Sequence, residues 1–252
     1  MTEPSLQPRF VAVGIEGPVA EVSWSRPERK NAIGKDVCAE LTRALVALAT
    51  RPEIAVVVFR SVGQPFCAGW DVRDFEEIDM AAPGAARSFF APGRTLLGSI
   101  TAMPQITIAA PGGATLGFGC SLLARCDMVV AADDAYFALP EIRRGMPPAT
   151  VLPELLAVMP CREALAWAVT GDRMTATDAL RNGLVTSVVS SQVHDGHVRD
   201  LARRIAGFGP ELIHETKLLV RRIGEAPPEK RIQVGVDSAI DRMRRNSADS
   251  RS

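Results

Sequence analysis

The chain has 252 residues and is 47% hydrophobic, enough to fill one sizeable core. Its 29 Lys and Arg offset 29 Asp and Glu, so no overall charge excess favours nucleic acid, and any anionic ligand must be met by local cations. The five cysteines are odd in number, widely spaced and without a CxxC pair, which argues against a disulfide framework or a metal centre and fits a reducing cytoplasm.

The first residues, Met1 to Pro8, carry an acid and two prolines where a secretory signal needs basic and then apolar residues. No apolar run reaches membrane-spanning length. Residues 10–15 and 19–24 are β-rich runs around Glu16-Gly17-Pro18 and predict a hairpin. The spacing of Val37, Leu41, Leu45 and Leu48 predicts a helix over 35–50. Residues 54–59 are almost entirely apolar, as in a strand covered on both faces.

A glycine-bearing turn follows, Phe66-Cys67-Ala68-Gly69-Trp70-Asp71. Gly and Pro in 79–84 and 91–93 then suggest hinges around a helical stretch. The strand-turn-helix order recurs: a strand over 106–110, a second glycine turn over 112–121, a helix over 119–125 and a strand over 128–132. This favours stacked ββα or βα units around parallel sheets. Tyr136-Phe137-Ala138-Leu139-Pro140-Glu141 is a short segment that ends on a carboxylate, with Gly145 and two prolines beyond it. From about residue 149 the pattern is mainly helical, over 151–158, 162–169, 176–182, 198–206, 211–223 and 230–245, with one strand at 184–189. The polar residues 246–252 read as a frayed tail.

Both glycine turns join a strand to a helix and leave backbone N–H donors free. Two such turns converging on one point would hold an oxygen that becomes negative during a reaction. Gly117-Phe118-Gly119-Cys120-Ser121-Leu122 has leucine where a dinucleotide fingerprint needs its third glycine. Gly119-Cys120-Ser121-Leu122-Leu123 likewise ends on leucine where a nucleophile elbow needs glycine. Cys67 and Cys120 read as small buried packing residues and Asp127 as a brace for its strand.

With Arg26-Pro27-Glu28-Arg29-Lys30-Asn31-Ala32, the two glycine turns, Leu139-Pro140-Glu141 and Thr170-Gly171-Asp172 running on to Leu184-Val185 in this order, residues 10–222 resemble the crotonase superfamily, also called the enoyl-CoA hydratase/isomerase family. The resemblance implies an α/β fold, a crotonase-like spiral of repeated ββα units over residues 1–195 carrying the CoA and acyl site, with a helical C-terminal oligomerisation region over 196–252. It implies an acyl-CoA thioester as substrate, with coenzyme A a part of that substrate and no separate cofactor or metal, and assembly as a homotrimer or a dimer of trimers. By this resemblance the N–H groups of Trp70 and Phe118 bind the thioester oxygen. Charge drawn onto that oxygen stabilises an enolate, and loss of one such donor typically raises the barrier by roughly 3 to 4 kcal/mol. Ala68, Asp71 and Val72 would lie near the adenine, Arg29 and Lys30 near the phosphates, and Lys217 would approach CoA from the C-terminal helices. For Asp71 capping of the following helix is an equal alternative, as is a solvated basic turn for Arg29 and Lys30, and for Lys217 surface exposure is the favoured alternative.

The chain departs from the two-glutamate pattern of hydratases. That pattern puts one carboxylate five residues before the Cys126-Asp127 pair and the other twenty further on; here the positions hold Ser121 and Glu141. One glutamate in reach of both C2 and C4 of a 3-enoyl chain can move a double bond by itself. Isomerisation is therefore slightly favoured, with Ser121 positioning water or substrate. Hydration by a single glutamate, as in the hydroxycinnamoyl-CoA hydratase-lyases with serine and glutamate at the same two positions, is the alternative. An acyl-CoA-binding protein without catalysis is a third reading.

Overall fold

The computed structural model describes residues 9–79 and 81–249. The reading of the N-terminal segment and of the last three tail residues falls outside them, as does Met80 within the first expected hinge.

The hairpin of β1 (Val11–Glu16) and β2 (Val19–Trp24) forms as expected, with Gly17 at positive φ in its turn. Helix α1 (Lys35–Ala49) buries Val37, Leu41, Leu45 and Leu48, the apolar stripe of the sequence. Strand β3 (Val56–Ser61) begins two residues later than expected, the Ile54 amide being turned back to Arg51 O. Helices α2 (Ala85–Phe89) and α3 (Ala91–Ala102) follow. The second expected hinge, Ala91-Pro92-Gly93, is instead the first turn of α3, where proline has no helical N–H bond to lose.

Strand β4 (Ile106–Ala109) leads to a short strand inside the second glycine turn, β5 (Ala114–Leu116), then α4 (Phe118–Arg125), β6 (Met128–Ala132) and β7 (Tyr136–Ala138). Pro153 and a run of turns limit the helix expected over 151–158 to α5 (Leu152–Leu155). Beyond it lie α6 (Cys161–Thr170), β8 (Met174–Thr175), α7 (Ala176–Arg181), β9 (Ser187–Val189), α8 (His194–Ala206), α9 (Pro210–Glu225) and α10 (Arg231–Asp249). The tail is thus helical to Asp249, three residues short of the chain end at Ser252.

A six-stranded sheet runs β1-β2-β3-β4-β6-β9, antiparallel only at the hairpin, and a three-stranded sheet runs β5-β7-β8. Alternation along β3 sends Val57 and Phe59 into one core, with α1 and α3, and Val56 and Val58 into another, with Val198, Leu201 and Ala202 of α8. Helix α8 therefore covers the second face of the large sheet. The expected boundary between residues 195 and 196 falls inside this helix.

Candidate active site

The first glycine turn is bonded on both sides. Toward β5, Cys67 N donates to Ala114 O at 3.2 Å and Cys67 O accepts from Leu116 N at 2.8 Å. Toward the turn over 26–32, Ala68 N donates to Lys30 O at 3.1 Å, Gly69 O accepts from Ile33 N at 2.9 Å and Asp71 N donates to Ile33 O at 3.2 Å. Since Gly69 O and Asp71 N both face Ile33, extended-chain alternation turns the intervening Trp70 N–H to the opposite side, the side of β5 and the second turn. Phe118 is the first residue of α4, so its N–H has no intrahelical acceptor. Among the described residues neither amide donates to anything.

The two turns touch. Gly69 has φ +97°, and a Cβ built on it would lie 3.1 Å from Leu116 O and 3.9 Å from Phe118 N. Glycine is required there both by conformation and by space. The side chains of the two donor residues also meet, with the Trp70 and Phe118 rings edge to face at 5.1 Å. A methyl on Gly93 of α3 would lie 2.7 Å from Trp70 Cζ3 and 3.0 Å from Phe118 Cε2, so this glycine leaves room for both rings. Phe89 packs at a tilt against Trp70 at 5.5 Å and continues the cluster to Phe75 and Phe90.

Glu141 sits against the second turn. Gly117, at φ +47°, has Glu141 Oε1 in the space a side chain would occupy, and its N–H donates to Ala138 O at 3.0 Å. The carboxylate therefore lies beside the residue preceding the Phe118 donor. The 3-10 turn Pro140–Arg144 that carries it is anchored from α6: Ile142 packs on Gly171, Arg143 pairs with Asp172 at 3.2 Å, and Trp167 Nε1 donates to Asp172 O at 3.0 Å. This explains why Thr170-Gly171-Asp172 belongs to the pattern. Burial raises the Glu141 pKa above its ordinary 4.5, against smaller lowering effects from a backbone hydrogen bond and from Arg144. Its Oε2 is buried without a hydrogen-bond partner.

Ser121 lies three residues beyond Phe118 on α4, fully buried, its hydroxyl also without a partner. Cys120 is buried with its Sγ 3.4 Å from Thr115 O, and burial together with the nearby Glu141 charge pushes its thiol up, so it is no nucleophile.

The structure brings the basic turn to the first glycine turn through the Ala68 to Lys30 bond. Lys30 is exposed and Arg29 half-buried, neither in an ion pair among the described residues, and Val72 is exposed. Asp71 caps the turn that follows it, as its alternative reading had it: its carboxylate accepts from Arg73 N at 3.2 Å at the start of the turn Val72–Glu77 and pairs with Arg26 at 3.0 Å. Both of its oxygens are thus used within the protein. Lys217 corrects the expectation of surface exposure. It is buried, with Nζ 2.5 Å from Asp127 Oδ2 and 2.7 Å from Gln105 O, while Thr107 N and Oγ1 hold the same aspartate oxygen at 2.8 Å each. Lys217 therefore clamps α9 to β4 and to the start of β6, and Asp127 is the brace expected of it. Burial lowers its pKa, countered by Asp127.

Gly93, Gly117 and Arg26 were missed by sequence reasoning. The Pro at the start of α3 was the available signal that Gly93 is helical. Nothing local marked Gly117 as the neighbour of Glu141, because the two are brought together by β5 pairing with β7. Among the described residues no three His, Cys, Asp or Glu side chains are grouped to hold a metal, and no helix is long and apolar enough to cross a membrane.

The profile described as Enoyl-CoA hydratase/isomerase matches residues 14–238. Among curated proteins, a carnitinyl-CoA dehydratase of Citrobacter koseri is 34% identical over 220 residues, covering 85% of this chain and 81% of that protein. A mitochondrial enoyl-CoA hydratase domain-containing protein 2 of Homo sapiens is 32% identical, covering 93% and 78%. Among solved structures, an enoyl-CoA hydratase of Mycobacterium smegmatis superposes with a TM-score of 0.86 at 27% identity, covering 93% of this chain and 91% of that one.

Proposed function

The chain belongs to the enoyl-CoA hydratase/isomerase family, and from that premise we propose that it moves the double bond of an enoyl-CoA thioester through an enolate, with Glu141 as the single proton carrier. The observation that carries this reading is the contact of the Glu141 carboxylate with Gly117, directly beside the free Phe118 amide. A thioester oxygen held by the Trp70 and Phe118 N–H groups accepts the electron pair as Glu141 takes a proton from C2. The same group, now an acid, returns it at C4. The raised pKa of Glu141 brings its affinity for a proton closer to that of the carbon it must serve.

Reversible hydration is the second reading. It is supported by the names of relatives, a dehydratase and hydratases among them, and by the unpartnered hydroxyl of Ser121, which can orient a water. Arg29 and Lys30 are assigned to the CoA phosphates and the backbone of Ala68 and Val72 to the adenine. The exposed apolar side chains of α9 and α10, including Leu218, Val220, Ile232 and Met243, are assigned to contact between copies in a homotrimer or a dimer of trimers. Sedimentation of a monomer at micromolar concentration would remove that assignment.

Matched 2-enoyl and 3-enoyl CoA thioesters offered to wild type, Glu141→Gln and Ser121→Glu test the reaction. Isomerisation by wild type, abolished in Glu141→Gln, is expected. Rapid hydration with no migration of the double bond would replace isomerisation by the second reading, and new hydration in Ser121→Glu would support the role of the missing carboxylate. Thioester binding without turnover of either substrate would leave a binding protein.

A further inference from the structure

One buried side chain touches both glycine turns. Cys67 Sγ accepts the N–H of Gly69 at 3.3 Å, the residue before the Trp70 donor. With Thr115 it also fills the space beside Gly119, the residue after the Phe118 donor: a Cβ built on Gly119 would lie 2.9 Å from Cys67 Cβ, 2.9 Å from Thr115 Cγ2 and 3.0 Å from Cys67 Sγ. Its backbone meanwhile pairs with β5, and the thiol is fully enclosed.

We propose that Cys67 is a positioning residue that sets the separation and aim of the two oxyanion donors, through the Gly69 amide on one side and the Gly119 contact on the other. The proposal rests on the reading of Trp70 and Phe118 as those donors. A sulfur suits the place because it is large enough to fill the gap at Gly119 and still accepts a hydrogen bond. With the thiol removed, the Gly69 amide loses its acceptor and the first turn gains room to relax. A donor displaced by a fraction of an ångström polarises the carbonyl less while the rest of the substrate still binds. Burial pushes the thiol up to about 12, so it remains protonated and takes no nucleophilic part.

The experiment combines steady-state kinetics with infrared spectroscopy of bound butyryl-CoA labelled with 13C at the carbonyl, a thioester that carries no double bond to move. Wild type is expected to shift the carbonyl stretch to lower frequency, and Glu141→Gln to keep that shift while losing turnover. Cys67→Ala is expected to lose part of the shift and to lower kcat by about tenfold with KM changed less than about twofold. Cys67→Ser, which restores an acceptor, should recover most of both. Gly119→Ala, whose methyl presses on the thiol from the second turn, should reproduce the Cys67→Ala pattern and keeps the proposal testable should Cys67→Ala not fold. A wild-type shift that Cys67→Ala and Gly119→Ala leave unchanged overturns the proposal alone. Equal impairment of Cys67→Ala and Cys67→Ser overturns it also, since filling the gap would then be the only role. No shift in wild type removes the oxyanion reading and this proposal with it.

Discussion

Helices α4 and α9 each bury a polar side chain, and they do so in opposite ways. In α4 all residues from Phe118 to Leu123 are buried, and the Ser121 hydroxyl among them has no partner. In α9 the one buried residue is Lys217, whose ammonium is held by Asp127 and Gln105, while Leu218 and Val220 face outward. A buried polar group that is fully paired fixes structure; one without a partner keeps its capacity to bond another group. Lys217 is thus a clamp, while the Ser121 hydroxyl keeps its hydrogen-bonding capacity unspent.

The strongest test of that division is Glu141→Gln, which should lower turnover of an enoyl-CoA by about 10²- to 10⁴-fold while the affinity for a CoA thioester, measured by calorimetry, stays within a few-fold. The same residue predicts a pH dependence. Its folded pKa lies above 4.5, so kcat/KM should fall on the acid side with an apparent pKa above that value, as the base is protonated. Between pH 4.5 and the raised pKa the unfolded chain has already released a proton that the folded one retains. Stability contributed by this group is therefore lost as pH rises through that window. Glu141→Gln, which has no such charge to bury, should unfold at higher denaturant than wild type at pH 7, and the difference should vanish below pH 4.

Lys217→Met comes next and should affect stability alone. It leaves Asp127 without its cation, and the loss should be about 3 kcal/mol in a denaturant titration, with kcat and KM per folded enzyme unchanged. A rise in KM for acyl-CoA at undiminished stability would return Lys217 to the CoA site and break the comparison. Gly117→Ala forces a side chain into a left-handed backbone and onto Glu141; we expect about 1 to 2 kcal/mol of destabilisation and a fall in kcat exceeding any rise in KM. Ser121→Ala should do least, within about fivefold in isomerisation rate, because it removes a hydroxyl already unpartnered and adds no volume. A much larger loss would assign Ser121 a direct role and favour hydration.

How far these features were legible follows from their range in sequence. The stripe of α1 and the hairpin around Gly17 are set within a few residues and appear where the periodicity put them. The order of the glycine turns and Glu141 was equally readable. Short strands were not: β5 looks like part of a glycine turn, and β8 is two residues long, formed only because Tyr136 and Phe137 offer it a partner. The Arg26–Asp71 and Lys217–Asp127 pairs were not legible, because their members are distant in sequence and nothing in a run of charges announces which of them pair. Burial also decides the Glu141 pKa against the nearby Arg144, and burial is a property of the fold rather than of the local sequence.

The central claim is that Glu141 removes a proton from C2 of a thioester whose oxygen is held by the Trp70 and Phe118 amides. Exchange of the C2 protons of bound butyryl-CoA with deuterated water, followed by mass spectrometry, measures that step without any later chemistry. Wild type should catalyse the exchange and Glu141→Gln, still binding the thioester, should not. Exchange that persists undiminished in Glu141→Gln, or is absent from a wild type that turns over enoyl-CoA, would contradict the account.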